Sequence, residues 1–462
     1  MMPALTFKQI ASALDADLAA GVDGGQTVSG VCIDSRGVKL GDVFVALRGE
    51  RVDGHDFLES AASAGAAAAI VEQPQAVALP QFVVRDTRIA LGQLANLNRI
   101  AWSGTLLALT GSAGKTSTKE MIAAICAKSA QTLSTEGNFN NEIGVPLTLF
   151  RLAPEHRFAV VEMGAAKSGD IAYLTHIARP DVVLITNAMA AHLEGFGSLD
   201  GVAQTKGEIY RTLDQNGVAV LNIDDNYAPL WREMIGARRI VAVSASGNKD
   251  ADVRAVSVQT DAAGSSFTLE VGANTCRVRL SVLGAHQIAN AVAAAGLATA
   301  AGISLETIAR GLESVRPVAG RMDMYTSAAG ATVIDDTYNA NPGSVRAAID
   351  ALASMKGERV LVLGAMAELG SQAAELHRQT AAYAAKKGVD RLFCVGAFAS
   401  DLAAGFGSPA VACESKDALI TALLPWNKPD TCFLIKGSRS ARMEHVVQAL
   451  MADATNNNAE AC

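Results

Sequence analysis

Aromatic residues make up only 5% of this 462-residue chain, and charged residues only 18%. With hydrophobic residues at 50% and a mean hydropathy of +0.22, so weakly charged a chain is not a disordered one. A basic surplus is lacking too. Thirty-nine Lys and Arg stand against 46 Asp and Glu, net −7, which argues against a dedicated nucleic-acid binder. The seven cysteines form no CxxC pair and are odd in number, so neither a zinc site nor a disulfide framework is expected. A reduced, cytoplasmic chain is the simple reading. The start, MMPALTFKQIASAL, has no basic region followed by an apolar core, so no signal peptide is expected. Long apolar runs are missing as well. Ala61–Val71 is short, and Ile288–Ile303 carries Asn290 among alanines and glycine. Both read as packed helices rather than membrane spans.

Glycine is abundant, at 41 residues, which implies many tight turns and close backbone approaches. At about 150 residues per domain, the length predicts three domains. Residues 1–100 read as a small α/β domain, with strands at GDVFVAL (41–47) and QFVVRD (81–86) and a helix running into a strand at 61–72. Residues 101–317 carry continuous apolar runs at 106–110, 157–164, 181–187 and 217–225, separated by helices. Such runs are buried on both faces and predict a mostly parallel sheet. Residues 240–282 alternate more and predict an antiparallel edge. Residues 318–462 restart the pattern, with strands at 331–336, 359–364, 391–396 and 431–437 ending in Gly or Asp, a second, Rossmann-like doubly wound sheet. No GxGxxG follows any of these strands, which disfavours a dinucleotide module. The tail, 452–462, is expected to be disordered.

The most informative motif is LTGSAGKTSTKE (109–120), which follows a buried strand and opens a helix. That is the context of a phosphate loop. Glycines let backbone N–H groups close around phosphate oxygens, and the helix N-terminus favours anions. The loop residues Gly111, Ser112, Ala113, Gly114, Lys115, Thr116 and Ser117 are the nucleotide-binding candidates, with Lys115 on the β/γ phosphates and Thr116 on Mg²⁺. The spacing departs from GxxxxGK[ST]: Leu109 stands where the first glycine would be, and the form is TGxxGKT.

Later residues narrow the chemistry. Glu162 ends the strand FAVVE, at the sheet edge where ligands bind in open parallel sheets. It reads as a metal-binding carboxylate or as a surface strand end. His192, after the next strand, reads as a metal ligand, although alone a loop cap is simpler. Lys206, alone, reads as a solvated lysine. Asn140 and Asn141, in NFNNEIGVP, read as phosphate or substrate contacts or as plain loop residues. Glu194 has no distinct role.

These motifs, in this order and across nearly the whole chain, resemble the Mur ligases, the ATP-dependent amide-forming enzymes of peptidoglycan precursor synthesis. TGSAGKTSTKEM, GNFNNEIGVPLTL, VEMGA, NAMAAHLEGFGSLDGVAQTKGEI, DDTYNANPGSV and LGAMAELG carry the resemblance. They are most similar to the family member that attaches D-alanyl-D-alanine to UDP-MurNAc-tripeptide. CIDSRGVKLGDVFVALRGERVDGHDF (32–57) is similar to that member's uridine-nucleotide domain.

The resemblance implies an ATP-dependent carbon–nitrogen ligase of cell-wall biogenesis, acting through an acyl phosphate with ATP and Mg²⁺. Its partners would be small-molecule substrates, UDP-MurNAc-tripeptide and D-Ala-D-Ala, with no nucleic acid and no transmembrane segment. A cytoplasmic monomer is expected. Lys115, His192 and Lys206 would be catalytic. Thr116, Glu162, His192 and Lys206 would hold metal, the last as a carbamate, because an ammonium repels Mg²⁺ whereas a carbamate is an anionic ligand. Asn290, Arg321 and Asp336 would contact nucleotide, the last as one of a strand-ending pair with Asp335. Ser35 and Arg36 would hold the uridine side. Tyr338 and Asn339, with Asn341 close by, would contact nucleotide or dipeptide. Many relatives have an acidic residue where this chain has Ala365; Glu368 remains. The alternatives are another Mur ligase step, a folylpolyglutamate synthetase, or a P-loop NTPase switch.

Overall fold

The computed structural model describes residues 4–17, 22–191, 193–261 and 264–452. His192 and the tail from residue 453, on which the expectation of disorder rests, lie outside the described residues. No helix among the described residues is long and apolar enough to cross a membrane.

The architecture is α/β, as the strand and helix alternation predicts. Near the start, Leu5–Thr6 pairs antiparallel with Thr27–Val28. A four-stranded parallel sheet follows, in the order Gly30–Cys32, Asp42–Val45, Ala68–Val71, Gln81–Val83. The helix Thr87–Ala101 then leads into the middle of the chain. Asp86 starts it by accepting from the N–H groups of Arg88 and Ile89. Its far end is tied down by Arg99, which donates to the Ala178 carbonyl and to Asp181. One continuous core joins Phe7, Val43 and Ile70 to Leu106, Val183 and Ile185. The first sheet is thus welded to the central one by shared apolar burial.

The central sheet has nine strands. From one edge these are Asn274–Leu280, Gly264–Val271, Val253–Asp261, Arg239–Ser244, Val218–Asn222, Val182–Ile185, Thr105–Thr110, Phe158–Glu162 and Thr132–Ser134. Successive residues of the apolar runs face opposite sides, as strand geometry requires. Leu107, Leu109, Leu184 and Val220 pack under the helices Lys115–Ala127 and Ala285–Ala300. Leu106, Ala108, Val183 and Leu221 pack on the other face, beneath Asp170–Ala178 and Leu199–Arg211. Burying each such Leu or Val side chain contributes about 1.5–3 kcal/mol.

The antiparallel edge is real but starts later than residue 240. Arg239–Ser244 pairs parallel with Val218–Asn222, and Val253–Asp261 begins parallel to it. Only the last two strand pairs are antiparallel. The alternation was misleading for 239–244, whose last four residues are buried as in the other parallel strands.

The last sheet has six strands, in the order Asp323–Thr326, Thr332–Asp336, Thr431–Lys436, Glu358–Gly364, Arg391–Val395, Ala410–Cys413. All pairs but the first are parallel. Apolar clusters cover both its faces. The strand Asp323–Thr326 was not foreseen; its alternating half-burial is that of an antiparallel edge.

Candidate active site

The glycine loop 111–114 sits between the strand Thr105–Thr110 and the helix Lys115–Ala127. Gly114 caps that helix at φ +78, a left-handed conformation that favours glycine. A Cβ there would also lie 2.3 Å from Asn290 Oδ1, so only glycine lets the two segments meet. The loop is held from three sides. Asn187 accepts from the Ala113 N–H at 3.0 Å, Thr186 donates to the Ala113 carbonyl at 2.7 Å, and Asn341 donates to the Ser112 carbonyl at 3.4 Å. Lys115 Nζ donates to the Gly111 carbonyl at 2.8 Å. Burial lowers its pKa; Glu162 opposes that shift and Arg321 adds to it.

Glu162 is 2% exposed. Its carboxylate accepts from the Thr116 hydroxyl at 2.9 Å and from Asn140 Nδ2 at 2.8 Å. Arg321 reaches across from the C-terminal half and donates to the same Thr116 hydroxyl at 2.8 Å, its guanidinium 4.0 Å from the Tyr338 ring centroid. Asn141 accepts from the Ile143 and Gly144 N–H groups and so opens the helix Gly144–Phe150. Asn290 donates to Gln287 at 3.0 Å.

Lys206 lies on the helix Leu199–Arg211, which Ser198 caps. It is not a solvated lysine: it is buried, and no described residue gives it a hydrogen bond or a carboxylate partner. Burial first, and the charge of Lys115 second, push its pKa well below the usual lysine value. From the last sheet, Asp336 is ion-paired with Lys436 at 2.6 Å, and Lys436 also donates to the Asn339 carbonyl at 2.8 Å. Asp335 accepts instead from the Thr337 N–H and hydroxyl, and burial raises its pKa.

One cleft of about 1200 Å³ gathers most of the predicted residues. Ser112 to Ser117, Asn140, Asn141, Glu162, Lys206, Asn290, Arg321, Asp336, Tyr338 and Asn339 all line it, as does Asn341. Gly111 is in the loop but not on the wall. Its approach is to Thr186, whose hydroxyl a Cβ would overlap. Ser35 and Arg36 lie outside the cleft, in a turn where Asp34 accepts from the Arg36 N–H and guanidinium. His192 lies outside the described residues. Glu194 follows in the short helix Leu193–Phe196.

The cleft also contains residues not singled out from the sequence. Lys119, Gln287, His286 and Lys436 line it. Lys119 donates to the Thr135 carbonyl, and the Thr135 hydroxyl accepts from the Glu162 N–H. Lys436 ends a predicted strand, so the rule that ligands bind at such ends could have found it.

Comparison with known proteins finds three matched segments along the chain. Residues 109–298 match the Mur ligase middle domain, 320–439 the Mur ligase glutamate ligase domain, and 27–99 the Mur ligase family catalytic domain. The chain is 43% identical to UDP-N-acetylmuramoyl-tripeptide--D-alanyl-D-alanine ligase of Escherichia coli strain K12 over 98% of this chain and 100% of that one. The chain belongs to the Mur ligase family. Among solved structures, it is similar to MurF from Acinetobacter baumannii, with a TM-score of 0.92 and 36% identity, covering 97% of this chain and 99% of that one. It is also similar to the MurF ligase of Thermotoga maritima in complex with ADP, with a TM-score of 0.83 and 29% identity over 92% and 97% of the two chains.

Among the described residues no group of three His, Cys, Asp or Glu could hold a metal ion. The Thr116 hydroxyl and Glu162 carboxylate, joined by a hydrogen bond, are oxygen donors suited to a hard cation. Lys206 fits such a site only as an anion.

Proposed function

We propose that the chain is an ATP-dependent ligase that joins D-alanyl-D-alanine to UDP-MurNAc-tripeptide, giving the UDP-MurNAc-pentapeptide precursor of peptidoglycan with ADP and phosphate. The observation that carries this reading is the single cleft in which the phosphate loop, Glu162 and Lys206 of the central sheet meet Arg321, Tyr338 and Asp336 of the last sheet. The full-length similarity to ligases of that name supports it, and the relative bound to ADP supports ATP as the nucleotide.

A carboxylate is a poor acyl donor and must be activated. The tripeptide carboxylate oxygen attacks the γ-phosphorus of ATP, and ADP leaves. The amine of D-Ala-D-Ala then attacks the acyl carbon, loses a proton, and phosphate departs with the carboxylate oxygen. Lys115 and the loop N–H groups stabilise the transferring phosphoryl group electrostatically. Asn290 and Arg321 bind the nucleotide, and Asp336, held by Lys436, serves the ribose or the hinge. Holding the reactants in register contributes on the order of 7–11 kcal/mol.

Mg²⁺ bound by Thr116, Glu162, His192 and a carbamylated Lys206 would neutralise phosphate charge. The buried amine of Lys206, which no carboxylate among the described residues neutralises, supports the carbamate, since a depressed pKa leaves more of it as the neutral nucleophile that CO₂ requires.

In this reading residues 1–100 take the UDP substrate, with Ser35 and Arg36 on the uridine side. Residues 101–317 take ATP, and 318–462 take the dipeptide through Tyr338 and Asn339. The enzyme works as a cytoplasmic monomer on small molecules. The test is phosphate release with UDP-MurNAc-tripeptide, ATP and D-Ala-D-Ala, omitting each in turn. Release is expected only with all three; sustained release without the dipeptide would refute the reading and favour an NTPase switch.

A further inference from the structure

His377 lies on the helix Ala373–Lys386, and no step above uses it. Its side chain is fully buried and stacked on Phe398, with ring centroids 4.4 Å apart. Both ring nitrogens are engaged. The backbone N–H of Met366 donates to Nε2 at 2.9 Å, and Nδ1 lies 2.6 Å from the Ala373 carbonyl. An N–H only donates and a carbonyl only accepts, so the two contacts together fix one neutral tautomer with its hydrogen on Nδ1. An imidazolium would have no lone pair for Met366.

Met366 belongs to the loop after the strand Glu358–Gly364, at the sheet edge where ligands sit. Just before it, the Ala365 carbonyl accepts from the Ser438 N–H at 3.0 Å, and the next residue, Arg439, lines the cleft. Just after it, Glu368 adopts a left-handed φ of 61. A non-glycine residue holds that conformation only where its surroundings fix it. The Glu368 carbonyl faces the Glu194 N–H at 3.5 Å, and a Cβ on Gly370 would lie 3.9 Å from Glu194 Cα. The loop 365–370 therefore touches both the Arg439 loop and the central segment that follows position 192.

We propose that His377 is a positioning residue for the acceptor. Its Nε2 lone pair fixes the loop 365–370, which in turn sets the Arg439 loop and seats the last sheet against residues 193–196. This rests on the ligase reading above. The Ala365 contact runs through its backbone carbonyl, so it does not depend on the side chain at that position.

The experiment compares His377→Leu, which removes the acceptor at similar volume, with His377→Gln, which can return an oxygen acceptor to Met366. His377→Leu should raise the KM for D-Ala-D-Ala by about tenfold, because the Met366 N–H, left unsatisfied where the loop is seated, favours loop positions in which water pairs it. The KM for UDP-MurNAc-tripeptide should not change, and His377→Gln should recover most of the loss. Equal defects in both variants, or an unchanged acceptor KM in His377→Leu, would overturn the role. If His377→Leu does not fold, ¹⁵N NMR of the unaltered protein decides. Hydrogen on Nδ1 alone at neutral pH supports the role; hydrogen on Nε2 overturns it. Absence of ligation by the unaltered protein would overturn the ligase reading and the acceptor role with it. Normal ligation with any of the contrary results above would overturn the His377 role alone.

Discussion

Replacing Lys206 by methionine should stabilise the fold while abolishing ligation. The side chain is 2% exposed, and the ring centroid of Phe196 lies 5.9 Å from Nζ. Methionine is apolar and of similar length, so it fills the same space without a charge. Exchanging a buried ionic group for a well-packed apolar one is often neutral or stabilising by about 1–4 kcal/mol. For a cooperative unit of about 150–250 residues that is a rise of about 2–4 °C in Tm per kcal/mol, and less if the whole chain melts together. The sign with pH is defined. The lysine pKa is depressed in the folded state, so the folded protein binds fewer protons than the unfolded chain between the two pKa values. The penalty of burying the charge is full below the folded pKa and fades as pH rises towards the ordinary lysine value. The advantage of Lys206→Met should therefore shrink as pH is raised. Thermal melts in CO₂-free buffer from neutral to alkaline pH measure it. A methionine variant less stable than the parent, or an advantage that does not shrink with pH, would refute the burial argument. Added bicarbonate should change the parent melt and leave the variant's unchanged if Lys206 takes up CO₂.

Three further outcomes follow from other contacts. Lys115→Ala should abolish amide formation while binding of the UDP substrate, followed by calorimetry, largely survives; retained turnover would contradict the phosphoryl-transfer scheme. Gly114→Ala should raise the KM for ATP at least several-fold, because the left-handed backbone costs a residue with a Cβ about 1–2 kcal/mol and the Cβ would collide with Asn290. An unchanged ATP KM would show that the loop reshapes freely. Tyr210→Phe serves as a control away from the cleft. Its buried hydroxyl donates to the Val220 carbonyl at 2.6 Å and accepts from the Ile185 N–H at 3.1 Å, so its loss should cost about 1–3 kcal/mol in denaturant melts and leave every KM in place.

What could be read in advance divides along physical lines. The strand, glycine loop and helix at 105–127 were legible because the signal is local: glycine, lysine and threonine at fixed offsets between a strand and a helix. The parallel sheets were legible because strands buried on both faces leave unbroken apolar runs, as in LLALT and RVLVLG. Glu162 was legible as a strand end. Lys206 was not. Nothing in AQTKGEIY distinguishes a lysine aimed into a cleft from a solvated one; burial comes from the packing of its helix on the central sheet. His286, Lys119 and His377 are similar cases. Lys119 and His377 are held by backbone groups, the Thr135 carbonyl and the Met366 N–H, that carry no side-chain signal, and His286 is placed in the cleft by the packing of its helix. The three-residue strand Thr132–Ser134 was too short for periodicity to show. The Arg321 contact with Thr116 spans 205 residues, and only the meeting of two sheets reveals it.

The proposed ligation turns on one step, activation of the tripeptide carboxylate by ATP before the dipeptide amine attacks. UDP-MurNAc-tripeptide labelled with ¹⁸O in that carboxylate tests it directly. Mass spectrometry of the released phosphate should find one ¹⁸O per turnover, in step with the pentapeptide formed. Unlabelled phosphate, with pentapeptide still made, would contradict the acyl phosphate.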